Sequence, residues 1–227
     1  AFVLSMALVA LFGMLVERTV FRPVRQSPLL TILLVSIGLS IFLQSAALLI
    51  VGPDMRRIPD PFGGRILEML GLSLTAQRLL IFVTALILIG LLYCLFRFTK
   101  IGKAIRATAQ ERDGAALAGI PINRVYAVTF AIGTGLAAAA GCLVGPIFFI
   151  DPFMGFMPGL KSFIVVILGG MGSIPGAILG GLVLGMAEVY GGAYISSEYK
   201  DAIAFIILIV ILVVKPTGFM GMELEER

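Results

Sequence analysis

Ser36, Ser40 and Gln44 recur every four residues in an uncharged, mainly apolar stretch. On a helix that spacing places them on one face. In an apolar medium such groups either hydrogen-bond to a neighbouring helix or line a path for a polar solute. Lys161 and Glu188 lie near the ends of apolar runs. There they either snorkel to an interface or stand at a mouth. The chain has no His, which removes a Ser-His hydrolase triad and an HExxH zinc site. It also has no G-x-x-x-x-G-K-[ST] loop, so it does not hold ATP through a P-loop. Cys94 and Cys142 fall inside apolar runs and read as small core residues rather than a disulfide framework. No carboxylate or lysine lies at mid-depth in the clearest spans, which argues against a proton relay. The chemistry on offer is binding and passage, with no catalytic residue, no metal ligand set and no cofactor site.

The elements that position these residues must lie in a membrane. Of 227 residues, 59% are hydrophobic and 13% are charged. A soluble domain has about 45–50% and about 25%. The mean hydropathy is +1.09, an apolar excess too large for one soluble core. The expected fold is an all-α, polytopic transmembrane bundle, with 1–227 as a single transmembrane domain. The net charge of +4 comes mostly from one loop and is no nucleic-acid footprint.

Crossing the hydrocarbon takes about 20 apolar residues. Leu29–Val51, Leu79–Phe96 and Val125–Ile150 are uncharged and long enough. Ala1–Val16 reads as the tail of a truncated span, because the chain opens inside an apolar run without an initiating Met. Leu160–Ala187 carries Lys161 and is interrupted by glycines, Ser173 and Pro175 at 169–176. It reads as two short spans with a tight turn or as a re-entrant pair. Ala202–Val214 is short and either extends upstream past Lys200 and Asp201 or sits in a thinned region.

Arg97, Lys100, Lys103, Arg106 and Arg112 put their loop in the cytoplasm. Alternation then places 17–28 and the tail after Lys215 in the cytoplasm as well, and 52–78 outside. On this topology Lys161 and Glu188 lie near the external face. Residues 52–65 are rich in proline and glycine and read as an irregular external loop, whereas 66–77 read as a short amphipathic or interfacial helix. Residues 101–118 are alanine-rich with charges of both signs and read as one cytoplasmic helix stopped by Gly119 and Pro121. On physics alone, that helix rests either on anionic lipid or on a cytoplasmic partner.

Gly133, Ala137, Gly141 and Gly145 recur every four residues, as do Gly172, Gly176 and Gly180, with Gly181 and Gly185 as a further pair. Small residues at that spacing let helix backbones approach closely. The expected role is helix packing, with a sliding surface as the sharper alternative.

Asp113-Gly114-Ala115-Ala116-Leu117-Ala118-Gly119 resembles the Glu-Ala-Ala-x-x-x-Gly coupling loop of ABC-importer permeases. Asp113 stands in place of Glu and Gly114 in place of the first Ala, while Ala115 and Gly119 match. Glu17-Arg18 with FRPVR (21–25), SIGLSIFLQ (36–44), GKAIRA (102–107), AGI (118–120) and LGGMGSIPGAILGG (168–181) resemble the branched-chain amino acid permease family. SSEYKD (196–201) and KPTG (215–218) extend the likeness over the whole chain. It is nearer the shorter of that family's two permease types, relative to which about two N-terminal spans are missing. Urea and short-chain amide permeases are close relatives.

The resemblance implies an importer with a second permease subunit, two cytoplasmic ATPase subunits that bind the ATP, and an extracytoplasmic solute-binding protein. The chain itself would sit in the inner membrane, contact lipid and bind no nucleic acid. It also implies that 97–124 is the coupling loop, with Arg106, Asp113, Gly114, Ala115 and Gly119 serving the ATPase contact. A self-contained secondary transporter or channel would need an ion-binding midplane, and a membrane enzyme would need a nucleophile–base pair. The residues supply neither.

Overall fold

The computed structural model describes residues 1–59, 66–69, 72–194, 196–215 and 217–220. It divides into two compact units, Ala1–Pro152 and Phe153–Arg227. Among the described residues, five helices are long and apolar enough to cross a membrane: Phe2–Val24, Leu30–Val51, Ala76–Phe98, Ile122–Val144 and Ile174–Tyr194. The chain is a helical, multi-pass membrane protein.

The first unit opens with α1 (Phe2–Val16), which continues through a π-helical segment (Glu17–Phe21) into α2 (Arg22–Val24). This corrects the sequence reading: the helix does not stop at Val16, and only a short connection before Leu29 remains of the expected loop 17–28. The cause lies in two residues. Pro23 has no N–H for the carbonyl four residues back, and the Arg22 N–H bonds to the Glu17 carbonyl in the wider i→i−5 pattern. Glu17 is buried against a cation, so its charge does not force the chain into solvent.

Next comes α3 (Leu29–Val51), with the bounds read from its uncharged run. Residues 66–69 and 72–75 do not form the expected amphipathic or interfacial helix. Ile66–Met69 (β1) and Leu72–Thr75 (β2) form an antiparallel hairpin with Ile66 opposite Thr75 and Met69 opposite Leu72. Leu67, Met69, Leu72 and Leu74 alternate with Glu68 and Ser73, a period of two. Residues 60–65 of the expected external loop lie outside the described residues. Its earlier part is held by Arg56, whose backbone pairs with Ile150 through bonds of 3.0 and 2.8 Å.

α4 (Ala76–Phe98) is followed by α5 (Lys100–Gln110), α6 (Arg112–Leu117) and α7 (Ile122–Val144). The expected 26-residue span Val125–Ile150 is thus six residues shorter at its end, because Ile150 is drawn off to pair with Arg56. Gln77 is buried at the start of α4, and its Nε2 donates to the Leu143 carbonyl at 3.1 Å. That carbonyl is in the last turn of α7, where no intrahelical donor remains.

α1 packs on α7 through small residues. A Cβ on Gly13 would strike the Thr134 side chain, and one on Gly135 would lie 3.5 Å from the Ala10 Cβ. Ala139, one turn beyond Gly135, is fully buried.

The second unit has α8 (Phe156–Gly169), α9 (Ile174–Tyr194), a 3-10 turn (Ser197–Tyr199) and α10 (Lys200–Val214). α10 extends upstream through Lys200 and Asp201, one of the two options left by its short apolar run. Ile164, Leu168, Leu184 and Ala204 form its core, with Ile207, Leu208 and Ile211 packed against it. The break between α8 and α9 is a tight turn with Gly170 at φ 94° and Gly172 at φ 86°, values that favour glycine. Gly176 N donates to Ser173 Oγ at 3.1 Å, capping the start of α9. At the end of α8, Phe219 N and Met220 N donate to the Leu168 and Gly169 carbonyls at 2.9 and 3.0 Å. Pro216, within KPTG, lies outside the described residues.

The helix pair leaves no room for side chains at its crossing. A Cβ on Gly180 would lie 2.7 Å from the Val165 carbonyl oxygen, and one on Gly176 would overlap Gly169. Gly176→Val should therefore force α8 and α9 apart at a cost of about 1–3 kcal/mol, seen as a lower thermal midpoint in detergent. Gly185→Ala is the control, since a Cβ there meets nothing within 4 Å. Equal midpoints for the two variants would refute the close crossing.

Candidate functional site

The segment joining α4 to α7 holds the residues expected to act on a cytoplasmic partner. Thr99 ends α4 and starts α5, with its Oγ1 accepting from Gly102 N at 3.0 Å. A Cβ on Gly102 would run into the Leu95 and Phe96 backbone, so α5 turns back closely against the end of α4. α5 buries Gly102 and Ile105 and leaves Arg106 exposed.

Residues 101–118 are not one helix. Glu111 has φ −151° and ψ 110°, and this extended residue separates α5 from α6. The Glu111 carboxylate folds over α6, where a Cβ on Gly114 would stand 3.0 Å from Oε2. The glycine at 114, where the family pattern has alanine, accommodates that side chain. Asp113 is exposed in the first turn of α6, and Ala115 is buried. Leu117, at the last turn, is 91% exposed.

Gly119 ends α6 with φ 80°. Its N–H donates to the Ala116 carbonyl at 3.0 Å, and Ile120 N donates to the Ala115 carbonyl at 3.1 Å. This paired arrangement is the Schellman ending, which needs a left-handed residue at Gly119. Pro121 follows and precedes the first residue of α7. α6 and α7 are thus joined by a short, hydrogen-bonded link.

Beside the start of α7 lies a cluster that sequence reasoning quoted but gave no role. Arg25 pairs through Nη2 with Glu17 Oε1, and the two side chains are only 12% and 3% exposed. Its Nη1 donates to Asn123 Oδ1 at 2.9 Å, and its Cζ lies 3.8 Å from the Tyr126 ring centroid. The Phe21 and Phe130 rings meet nearby at a tilt of 42°, with centroids 4.9 Å apart. The available signal was a lone acid in an apolar run followed eight residues later by arginine.

The proposed path residues lie on α3, which buries none of its described side chains within this chain. Ser36 and Ser40 are exposed, Gln44 is half-buried, and Ser36 Oγ donates back to the Ile32 carbonyl at 2.8 Å. The glycines divide into different environments. Gly133 and Gly141 are exposed, with open space where a Cβ would stand. Gly145 is buried near Ile58 and Ile150, Gly172 is in the α8–α9 turn, and Gly176 and Gly180 lie at the helix crossing. Gly13, Gly102, Gly135 and Gly169, which make close approaches of their own, were not singled out by the four-residue spacing.

Lys161, Glu188 and Asp201 meet in the second unit. Lys161 Nζ is 3.0 Å from Glu188 Oε1 and 2.8 Å from Asp201 Oδ1, so one cation ties α8, α9 and α10 together.

Comparison with known proteins agrees with the helical pattern. Residues 1–212 match the family described as branched-chain amino acid transport system / permease component. The chain is 41% identical to the high-affinity branched-chain amino acid transport system permease protein LivH of Escherichia coli K12, over 100% of this chain and 75% of that protein. It is 40% identical to the corresponding permease protein BraD of Pseudomonas aeruginosa, over 100% of this chain and 76% of that one. A more distant likeness, 28% identity over 46% of this chain and 31% of the relative, is to the fructose import permease protein FrcC of Rhizobium meliloti. No solved structure matches the chain. With the family match spanning nearly all of its length, the chain belongs to the branched-chain amino acid transport permease family.

Proposed function

We propose that this chain is a membrane-spanning permease subunit of an ATP-driven importer that moves branched-chain amino acids inward across the cytoplasmic membrane. The observation that carries the reading is similarity, along the whole of this chain and three quarters of the relatives, to permeases named for that transport, on a chain of apolar spans. The chain does no chemistry itself; ATP is bound by two partner ATPases, and an extracytoplasmic binding protein delivers the solute. A second permease subunit completes the path. The whole chain works as one transmembrane domain, with 97–124 as its coupling loop.

In this reading α6 is the element that enters the ATPase cleft. Leu117 at its tip is the exposed apolar contact, and Arg106 and Asp113 are exposed charges on the same segment. Ser36, Ser40 and Gln44 face the solute path once the second permease covers α3. The open faces at Gly133 and Gly141 are packing surfaces for a helix from outside this chain.

Gly119→Val tests the coupling role. A Cβ at Gly119 meets nothing within 4 Å, so the whole penalty is conformational: φ 80° costs an L-residue about 1–2 kcal/mol, and more with a branched Cβ. The variant should insert normally yet lose most leucine uptake, with ATP hydrolysis no longer stimulated by leucine-loaded binding protein. Full uptake and full stimulation in proteoliposomes would remove α6 from the docking role and favour a resting place on lipid.

Gln44→Leu tests the path. Gln44 is only half-buried within this chain, so the protein should express at wild-type levels. Uptake of leucine should fall several-fold, about the effect of losing one or two hydrogen bonds to a polar solute. Unchanged uptake would place this face against lipid, and competition of leucine uptake by urea but not by isoleucine or valine would move the solute to the amide class.

A further inference from the structure

We propose that Arg25 is a positioning residue that carries movement of the coupling segment into the first span, by gripping α7 and the π-helical segment at once. The inference rests on the importer reading above. It starts from the contrast between two contacts on the same pair of helices. Along most of their length, α1 and α7 meet through Gly13 under the Thr134 side chain, Gly135 beside Ala10, and Cys142 Sγ, which donates to Ser5 Oγ at 3.5 Å. None of these contacts is ionic. At the end nearest α6 the contact changes character. There the Arg25 guanidinium pairs with Glu17, donates to Asn123 Oδ1 at 2.9 Å and lies over the Tyr126 ring. A planar fork that binds two acceptors in different directions fixes both position and angle.

The placement of its partners gives the grip its consequence. Asn123 is the second residue of α7, and α7 follows α6 after only Ala118-Gly119-Ile120-Pro121. The Gly119 and Ile120 N–H groups are bonded back to α6, and Pro121 stiffens the exit. Displacement of α6 is therefore handed to the first turn of α7. On the other side, Glu17 opens the π-helical segment, a register that departs from the α-helix on either side of it. Arg25 thus connects the rigid exit of the coupling segment to the irregular turn of the first span.

The experiment removes the link to α7 while leaving the buried ion pair intact. Asn123→Ala deletes one acceptor at an exposed residue, and Asn123→Ala with Tyr126→Leu also deletes the ring. The permease is reconstituted with its second permease, ATPases and binding protein in proteoliposomes, and leucine is the probe. Both variants should assemble and hydrolyse ATP as wild type does. Leucine moved per ATP should fall about ten-fold in the double variant, the scale of one hydrogen bond to a charged group. Asn123→Asp keeps an acceptor for Nη1 and should retain at least about half of the wild-type ratio, a rescue that a plain packing role would not require. A wild-type ratio in the double variant overturns the proposal, as does an Asn123→Asp variant no better than Asn123→Ala. Wild-type vesicles without leucine-stimulated hydrolysis overturn the importer reading itself, and this proposal with it.

Discussion

A backbone N–H or C=O that the protein shields from water must find a partner inside it, and the ends of α7 and α8 are built around this requirement. The α8–α9 turn meets it locally and from a distance. Gly170 N returns to the Val166 and Ile167 carbonyls, and Ser173 caps α9. The remaining carbonyls at the end of α8 are taken by Phe219 and Met220, which lie past α10. A Cβ on Gly218 would collide with Gly170 N, so the segment reaches those carbonyls only because residue 218 is glycine. The end of α7 obeys the same rule with a side chain, since Gln77 donates to Leu143. Breaks in the helices are thus fastened sites.

Close approach of backbones follows from the same constraint. Apolar side chains gain little by leaving lipid for one another, so association depends on packing and on contacts the lipid cannot make. α8 and α9 meet at Gly169, Gly176 and Gly180, with backbone against backbone. α1 and α7 meet at Gly13 and Gly135 under Thr134 and Ala10. Four-residue spacing identified glycine faces but could not say which face a neighbour occupies. Gly135 is two residues from Gly133, about 200° around the helix, and only Gly135 has α1 against it. Periodicity reports the width of a small-residue face, whereas occupancy is a property of the partner.

Legibility differed between segments for similar reasons. α3 was readable to the residue because its uncharged run is bounded by Pro28 and Gly52. The family likeness and the helical class were readable from motifs and hydropathy. Gly119 was readable as a stop because glycine and proline punctuate helices whatever surrounds them, and its φ of 80° is the reason glycine stands there. The break at Glu111 was not, since alanine-rich flanks have high helix propensity on both sides and the extended residue between them carries no proline or glycine. The hairpin at 66–75 was missed because four-residue strands in a leucine-rich stretch fit a short helix nearly as well. Residues 17–24 read as a loop on charge alone, since an ionic side chain ordinarily marks solvent. Glu17 and Arg25 instead neutralise each other under cover.

That last error shows how charge is used in this chain. Ionic side chains are absent from α3, and two clusters of them join helices elsewhere. Within the first unit, Arg25 joins the end of the first span to the start of α7. Within the second, Lys161 joins three helices. Desolvating a charge is costly, and a pair repays the cost only when its geometry is good. The gain from such a pair is therefore direction more than stability. In the importer reading, a permease subunit converts a push at one end into an altered path elsewhere. Under the proposed coupling, the end of the first span moves with the start of α7, because Arg25 holds both.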